Sequence, residues 1–254
     1  DIVESLSVKI AGEVQDFELS DEILAAKETK KYDRFIHLAL HATNEALTDA
    51  NLLPIHKHLD PNNIGCLLGV GIGGLPAIER TQTLFLERGP RRVSPFFIPS
   101  IIPNMAPGVI SLTFGLEGIN YNISSACASA AHAISAACFE IMSGRQDVVI
   151  TGGTESVISN LGMQGFISMK ALSKNNDHPT QASRPFDRDR DGFVMGEGSG
   201  ILVLENLDHA KKRGAKIYAE IIGHGTSSDA YHITAPHPKG KGAQRCMEQA
   251  LKSA

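Results

Sequence analysis

At 254 residues with 42% hydrophobic side chains, the chain is large enough to bury a substantial core without a disulfide framework. Its formal charge of −4 arises from well-mixed signs, which argues against a nucleic-acid-binding surface as the main function. No apolar run approaches membrane-spanning length and no signal peptide opens the chain, so neither membrane insertion nor secretion is expected.

Strand and helix patterns alternate along the sequence. Residues 8–14 are a modest strand candidate, and 32–49 a strong helix with an apolar face of Phe35, Leu38, Ala39, Ala42, Ala46 and Leu47. Ile64-Gly65-Cys66-Leu67-Leu68-Gly69-Val70 is continuously apolar, as a strand covered on both faces would be. It runs into Gly71-Ile72-Gly73-Gly74 and a helix over 75–87. These glycines invite a nucleotide reading, but their spacing misses the dinucleotide fingerprint and the loop lacks the lysine of a phosphate loop. A tight turn packed beside a ligand is expected instead. Residues 118–123 read as a short strand and 126–142 as an alanine-rich helix, with positions 127, 131, 134, 138 and 142 forming one small or apolar stripe expected to be buried. Further strands are expected at 146–153, 200–205 and 217–222, with a charged helix at 207–213 and a last helix from about Gly242. The class is α/β with a mixed sheet.

The four cysteines, Cys66, Cys127, Cys138 and Cys246, are far apart and form no Cys-x-x-Cys pair, so neither a zinc site nor a disulfide set is expected and a reducing compartment fits. Cys127 stands out because Ser124-Ser125-Ala126-Cys127-Ala128-Ser129-Ala130 lies where a strand gives way to a helix. Backbone N–H groups and the positive helix end would favour its thiolate, the form that attacks acyl carbonyls. His132 follows Cys127 by five residues, about 140° around a helix, and is expected to point elsewhere. The stretch 183–200 alternates charges with Phe186 and Phe193 and reads as an internally hydrogen-bonded loop beside an active site.

Several ordered segments carry a resemblance. They are Gly69-Val70-Gly71-Ile72-Gly73-Gly74, Ser94-Pro95-Phe96-Phe97-Ile98-Pro99, Asn104-Met105-Ala106, Ser125-Ala126-Cys127, Gly152-Gly153-Thr154-Glu155, Gly165-Phe166 through Ala171-Leu172-Ser173, and Ser183-Arg184-Pro185-Phe186-Asp187 through Gly198. Together they resemble the β-ketoacyl-acyl-carrier-protein synthases, the elongating condensing enzymes of types I and II in the thiolase superfamily. The resemblance runs from about Lys31 to the C-terminus. It implies a layered αβαβα fold with a mixed five-stranded sheet, residues 1–216 forming an N-terminal domain and 217–254 the start of a C-terminal one.

The implied reaction is a decarboxylative Claisen condensation of acyl and malonyl thioesters, both borne on the phosphopantetheine arm of an acyl carrier protein. No bound cofactor or metal is implied. Cys127 matches the nucleophile; Ile72, Phe97 and Phe166 match residues lining the acyl pocket, and Thr234 a position near the pantetheine entrance. Lys27, Lys30 and Lys31 fall where the family gathers basic residues for the acidic carrier protein. A homodimer is implied, as is a bacterial cytoplasmic, mitochondrial or plastid setting.

The family's two catalytic histidines and its lysine lie downstream of this sequence, and its first strand should precede Asp1. His224, His232 and His237 match none of these motifs. The chain is accordingly expected to be a piece cut at both ends and inactive in condensation alone. Two alternatives remain: an initiating synthase or thiolase using coenzyme A thioesters, and a non-catalytic chain-length factor. Retention of Cys127 counts against the second; the 184–198 loop and Phe96-Phe97 count against the first.

Overall fold

The structure, a computed structural model, describes residues 2–57 and 59–254. Its elements in chain order are α1 (Ile2–Ser5), α2 (Ala26–Thr29), α3 (Arg34–Asp49), β1 (Ile64–Gly69), α4 (Leu75–Arg88), α5 (Phe97–Ile101), α6 (Met105–Phe114), β2 (Asn120–Ile123), α7 (Ser129–Met142), β3 (Val148–Glu155), α8 (Asn160–Ser168), β4 (Gly198–Glu205), α9 (Leu207–Lys212) and α10 (Lys241–Ser253).

The strands form one sheet in the order β2-β1-β3-β4. β1 runs parallel to β2 and to β3, while β4 is antiparallel to β3, so the sheet is mixed. Every residue of β1 is buried, as its unbroken apolar run requires. The period-two alternation of a strand divides its side chains between two layers. Cys66 and Leu68 of β1, with Val148 and Ile150 of β3, meet Phe35, Ile36 and Leu40 of α3 and Val109 and Ile110 of α6. Leu67 and Val149 point the other way, onto Ala137 of α7. Fully burying each of the valine, leucine, isoleucine and phenylalanine side chains among them contributes about 1.5–3 kcal/mol. A separate apolar cluster of Val8, Ile10, Val157, Met163, Leu172 and Met195 sits under the loops that follow β3.

Four expectations are corrected. The sheet has four strands rather than five among the described residues, with helices flanking one sheet instead of five layers. Residues 8–14 contribute only a single bridge, Gly12 to Gly196. Residues 217–222 carry a strand-like pattern, but no strand among the described residues lies alongside, and Ile217, Tyr218, Ile221 and Ile222 are exposed. Finally, α7 starts at Ser129 and not at Ala126, and its buried face comprises Ser129, Ala133, Ala137, Cys138 and Glu140. Of the expected stripe only Cys138 is buried; Cys127, Ala131 and Met142 are exposed.

Candidate active site

The site begins with two glycines. Gly69 and Gly153 are register partners at the C-terminal ends of β1 and β3. A Cβ on Gly69 would collide with the backbone of Ser129 and Ala130, and one on Gly153 would lie 2.7 Å from the Ala130 side chain. With no side chain at either position, the first turn of α7 lies directly on the sheet. That docking puts the preceding turn at the carboxyl ends of parallel strands, the usual location of ligand crevices in open α/β sheets.

Within this turn Ala126 adopts φ +52°, a left-handed conformation that costs a non-glycine residue on the order of 1–3 kcal/mol. Ser129 holds it there. The Ser125 N–H donates to Ser129 Oγ at 2.9 Å, and the same hydroxyl donates to the Ala126 carbonyl at 2.7 Å. The Ala128 and Ser129 N–H groups close back onto the carbonyls of Ser125 and Ala126. Ser124 Oγ ties the turn to the end of β1 through the Val70 carbonyl at 2.6 Å. Cys127 is thereby presented to solvent between strand and helix, an arrangement that serves a nucleophile well. His132 Nδ1 lies 2.6 Å from Ser125 Oγ, so it faces the turn and does not point away. The helical-wheel argument fails because the helix does not extend back to Cys127.

The loop after β1 lies beside this turn. The N–H groups of Gly71, Ile72 and Gly73 all donate to the Glu155 carboxylate, at 2.9, 2.8 and 2.9 Å. A Cβ on Gly71 would come 2.9 Å from Glu155 Oε2 and 3.6 Å from the Ala126 carbonyl oxygen, so only a narrow space separates the loop from the turn. On its far side the loop meets α5: the Gly74 N–H donates to the Ile101 carbonyl at 3.1 Å. The loop carrying Ile72 is thus bonded to α5, the helix opened by Phe97, and lies beside the turn that carries Cys127. Phe166, half-buried on α8, packs edge-on against Phe193 with ring centroids 5.4 Å apart, in the second apolar cluster. Phe186, by contrast, is 99% exposed and packs against none of the loop's charges.

Lys27 and Lys30 are exposed, whereas Lys31 pairs with Glu28 and sits 4.9 Å above the ring of Phe96. Arg88, Arg91 and Arg92 are exposed on the segment leading to Phe96, a basic cluster that sequence reasoning passed over. The signal was available as three arginines within five residues. Thr234 is exposed, and its N–H donates to His232 Nδ1 at 3.1 Å. His224 stacks edge-on against Phe139, and His237 Nδ1 accepts the Lys239 N–H.

The charged loop is held by two carboxylates. Asp191 accepts from Ser173 Oγ at 2.7 Å and the Lys174 N–H at 2.9 Å, and these bonds hold its carboxyl below the usual range. Glu197 is more enclosed. Burial would push its carboxyl up, but hydrogen bonds from Arg34, Ser156 Oγ and the Val14 N–H, with the Arg34 charge, hold it below the ordinary value. A polar cleft of about 630 Å³ lies beside this pair, lined by Glu13, Arg34, Arg80 and Glu197 and not by Cys127. Among the described residues there is no cluster of metal-ligating side chains, and no helix is long and apolar enough to cross a membrane.

A mixed sheet with flanking helices and a cysteine at the carboxyl end of a parallel strand defines a thiolase-like scaffold. The chain belongs to the beta-ketoacyl synthase family: the model for the beta-ketoacyl synthase N-terminal domain matches residues 2–210, and that for the C-terminal domain matches 218–254. It is 49% identical over 244 residues to a 3-oxoacyl-(acyl-carrier-protein) synthase 2 of Synechocystis, covering 96% of this chain and 58% of that protein. A Staphylococcus aureus protein of the same name is 47% identical over 251 residues, covering 99% and 61%. Among solved structures, a beta-ketoacyl synthase from Burkholderia phymatum superposes with a TM-score of 0.89 at 34% identity, covering 98% of this chain and 60% of that one. A ketosynthase described in complex with a type II polyketide acyl-carrier protein gives 0.84 at 30% identity, covering 98% and 60%. The chain spans about 60% of the length of these relatives.

Proposed function

We propose that this chain supplies the acyl-accepting half of a decarboxylative Claisen condensation in fatty acid elongation. Cys127 sulfur, as thiolate, attacks the carbonyl of an acyl thioester on a carrier protein's phosphopantetheine arm. The carbon–sulfur bond to that arm breaks, its thiol leaves with a proton, and the acyl group remains on Cys127. The thioester is then attacked by the carbanion left when malonyl-carrier protein loses CO2, giving a 3-oxoacyl product two carbons longer and regenerating the thiol. No residue of this chain is assigned to decarboxylation, which the family performs with histidines and a lysine outside this sequence.

The observation that carries this reading is the exposed cysteine on a strained, hydrogen-bonded turn with the Ile72 loop beside it. The Cys127 N–H is our candidate donor to the oxyanion formed during transfer. Ile72, Phe97 and Phe166 are read as walls of the acyl pocket and Thr234 as part of the pantetheine entrance. An acidic carrier protein would dock on Lys27, Lys30 and Lys31, joined by Arg88, Arg91 and Arg92. The domain division at 216 and a cytoplasmic setting, in keeping with four free thiols, belong to the same reading.

Incubating the full-length protein with acyl-carrier protein, followed by peptide mass mapping, should place the acyl mass on Cys127. Label on Cys66, Cys138 or Cys246, or full condensation by C127A, would sink the assignment. A homodimer is part of the same proposal, supported by β2, an edge strand with one side unpaired among the described residues, and by the apolar Leu112, Tyr121, Phe139 and Met142 exposed nearby. A monomeric mass for the active protein would refute it.

A further inference from the structure

We infer that Glu155 is a positioning residue for acyl-chain selection, acting through the backbone of Ile72. The inference rests on the reading of Ile72 as a pocket wall and deepens it. Three successive N–H groups converging on one point form an anion cradle of the kind that elsewhere binds phosphate. Here the cradle is filled by the protein's own carboxylate: Glu155 Oε2 accepts from Gly71 and Ile72, and Oε1 from Gly73. Gly73 itself adopts φ +80°, a left-handed conformation that favours glycine. The filled cradle is the physical reason that a three-glycine loop need not bind a nucleotide.

Glu155 is the last residue of β3, whose preceding residues are mostly buried, so the carboxylate is referenced to the rigid sheet. The Ile72 side chain is not: it is 45% exposed. Its direction is therefore set by how its backbone is fastened, and on one side that fastening is Glu155. A Cβ added at Gly71 would lie 3.6 Å from the Ala126 carbonyl oxygen, so the loop runs close to the residue before Cys127. A loosened cradle would move Ile72 relative to the sulfur while leaving the bonds of Ser125, Ala126 and Ser129 that hold the Cys127 turn.

Glu155→Gln replaces one acceptor oxygen by a donor, leaving at least one of the three N–H groups facing an N–H2 group. Glu155→Asp keeps the charge but withdraws it by one methylene. The test uses the full-length protein and measures transfer to Cys127 from octanoyl- and palmitoyl-pantetheine, with iodoacetamide alkylation of Cys127 alongside. The ratio of the two acyl transfer rates should change roughly tenfold in E155Q, as loss of a charge-assisted hydrogen bond allows. Alkylation should stay within about twofold of wild type, since the cysteine turn is untouched. In an Ile72→Ala background E155Q should leave the ratio where I72A alone puts it, because the residue through which it acts is gone.

An unchanged ratio in E155Q and E155D, or an equal loss for both primers, would overturn the inference and leave Glu155 as general support. Unfolding of both variants would overturn it as well, by making Glu155 a determinant of folding. If the wild-type protein transfers neither acyl group to Cys127, the function proposed above fails first and this inference falls with it.

Discussion

Burial pushes the thiols of Cys66 and Cys138 above the ordinary cysteine value, whereas Cys127 is open to solvent. Cys246 is half-buried and donates to the Gly225 carbonyl at 3.0 Å. Iodoacetamide should therefore modify Cys127 first, and the same assay reads the turn that holds it. Ser129→Ala removes the hydroxyl that both accepts from Ser125 and donates to Ala126. The buried Ser129 site leaves no water to replace it, so a loss of about 1–3 kcal/mol in denaturant unfolding is expected, with slower alkylation of Cys127. Unaltered stability and alkylation would show that the turn holds itself. The placement of Cys127 between strand and helix was legible in the sequence because serines and small residues crowd that junction. The left-handed Ala126 was not, since alanine is not a residue that advertises positive φ. The pairing of Glu155 with the loop 84 residues earlier was equally hidden, because nothing local in either segment names the other.

At the scale of elements, the docking of α7 on Gly69 and Gly153 makes a sharp prediction. Gly69→Ala would drive a methyl group into the backbone of Ser129 and Ala130, and neither main-chain group can rotate away. Overpacking of this kind costs about 1–3 kcal/mol, so a lower thermal midpoint is expected together with a displaced Cys127 turn and slower acylation. A Gly69→Ala protein with wild-type melting and acylation would mean that α7 does not need this close approach. The strands β1 and β3 could be read directly, because an unbroken apolar run demands cover on both faces. The strand-like run at 217–222, interrupted by Glu220, forms no strand, since a strand exists only with a neighbour to pair with and none of the described residues supplies one. The start of α7 was misread for a different reason: alanine continues a helix so readily that propensity shows no break at 126–128, and tertiary docking sets the boundary.

Across the whole molecule, Glu197 joins segments far apart in the chain. It accepts from Arg34 at the start of α3, from Ser156 just after β3 and from the Val14 N–H of the N-terminal stretch, while its own N–H donates to Gly12. Glu205, at the other end of β4, is similarly paired with Arg213 and His209. Burial opposes ionisation of Glu205 too, but its bonds to Arg213 and His209 hold its carboxyl below the ordinary value. For both groups the folded-state value lies below the unfolded one. Their stabilisation is therefore complete above the unfolded carboxyl range, near pH 4.5, and is lost as pH falls through the depressed folded values. Glu197→Gln should separate the two contributions. At neutral pH it leaves the part-exposed Arg34 without its charge partner and should cost about 1.5–3 kcal/mol, the usual effect of losing a charge-assisted hydrogen bond. Below pH 4.5 the unfolded wild-type chain takes up the proton that the folded carboxyl still resists, so the gap between variant and wild type should narrow with acidification. Urea unfolding at a series of pH values reads both effects, and a gap that stays constant down to pH 3 would show that the Glu197 charge does not hold these four segments together.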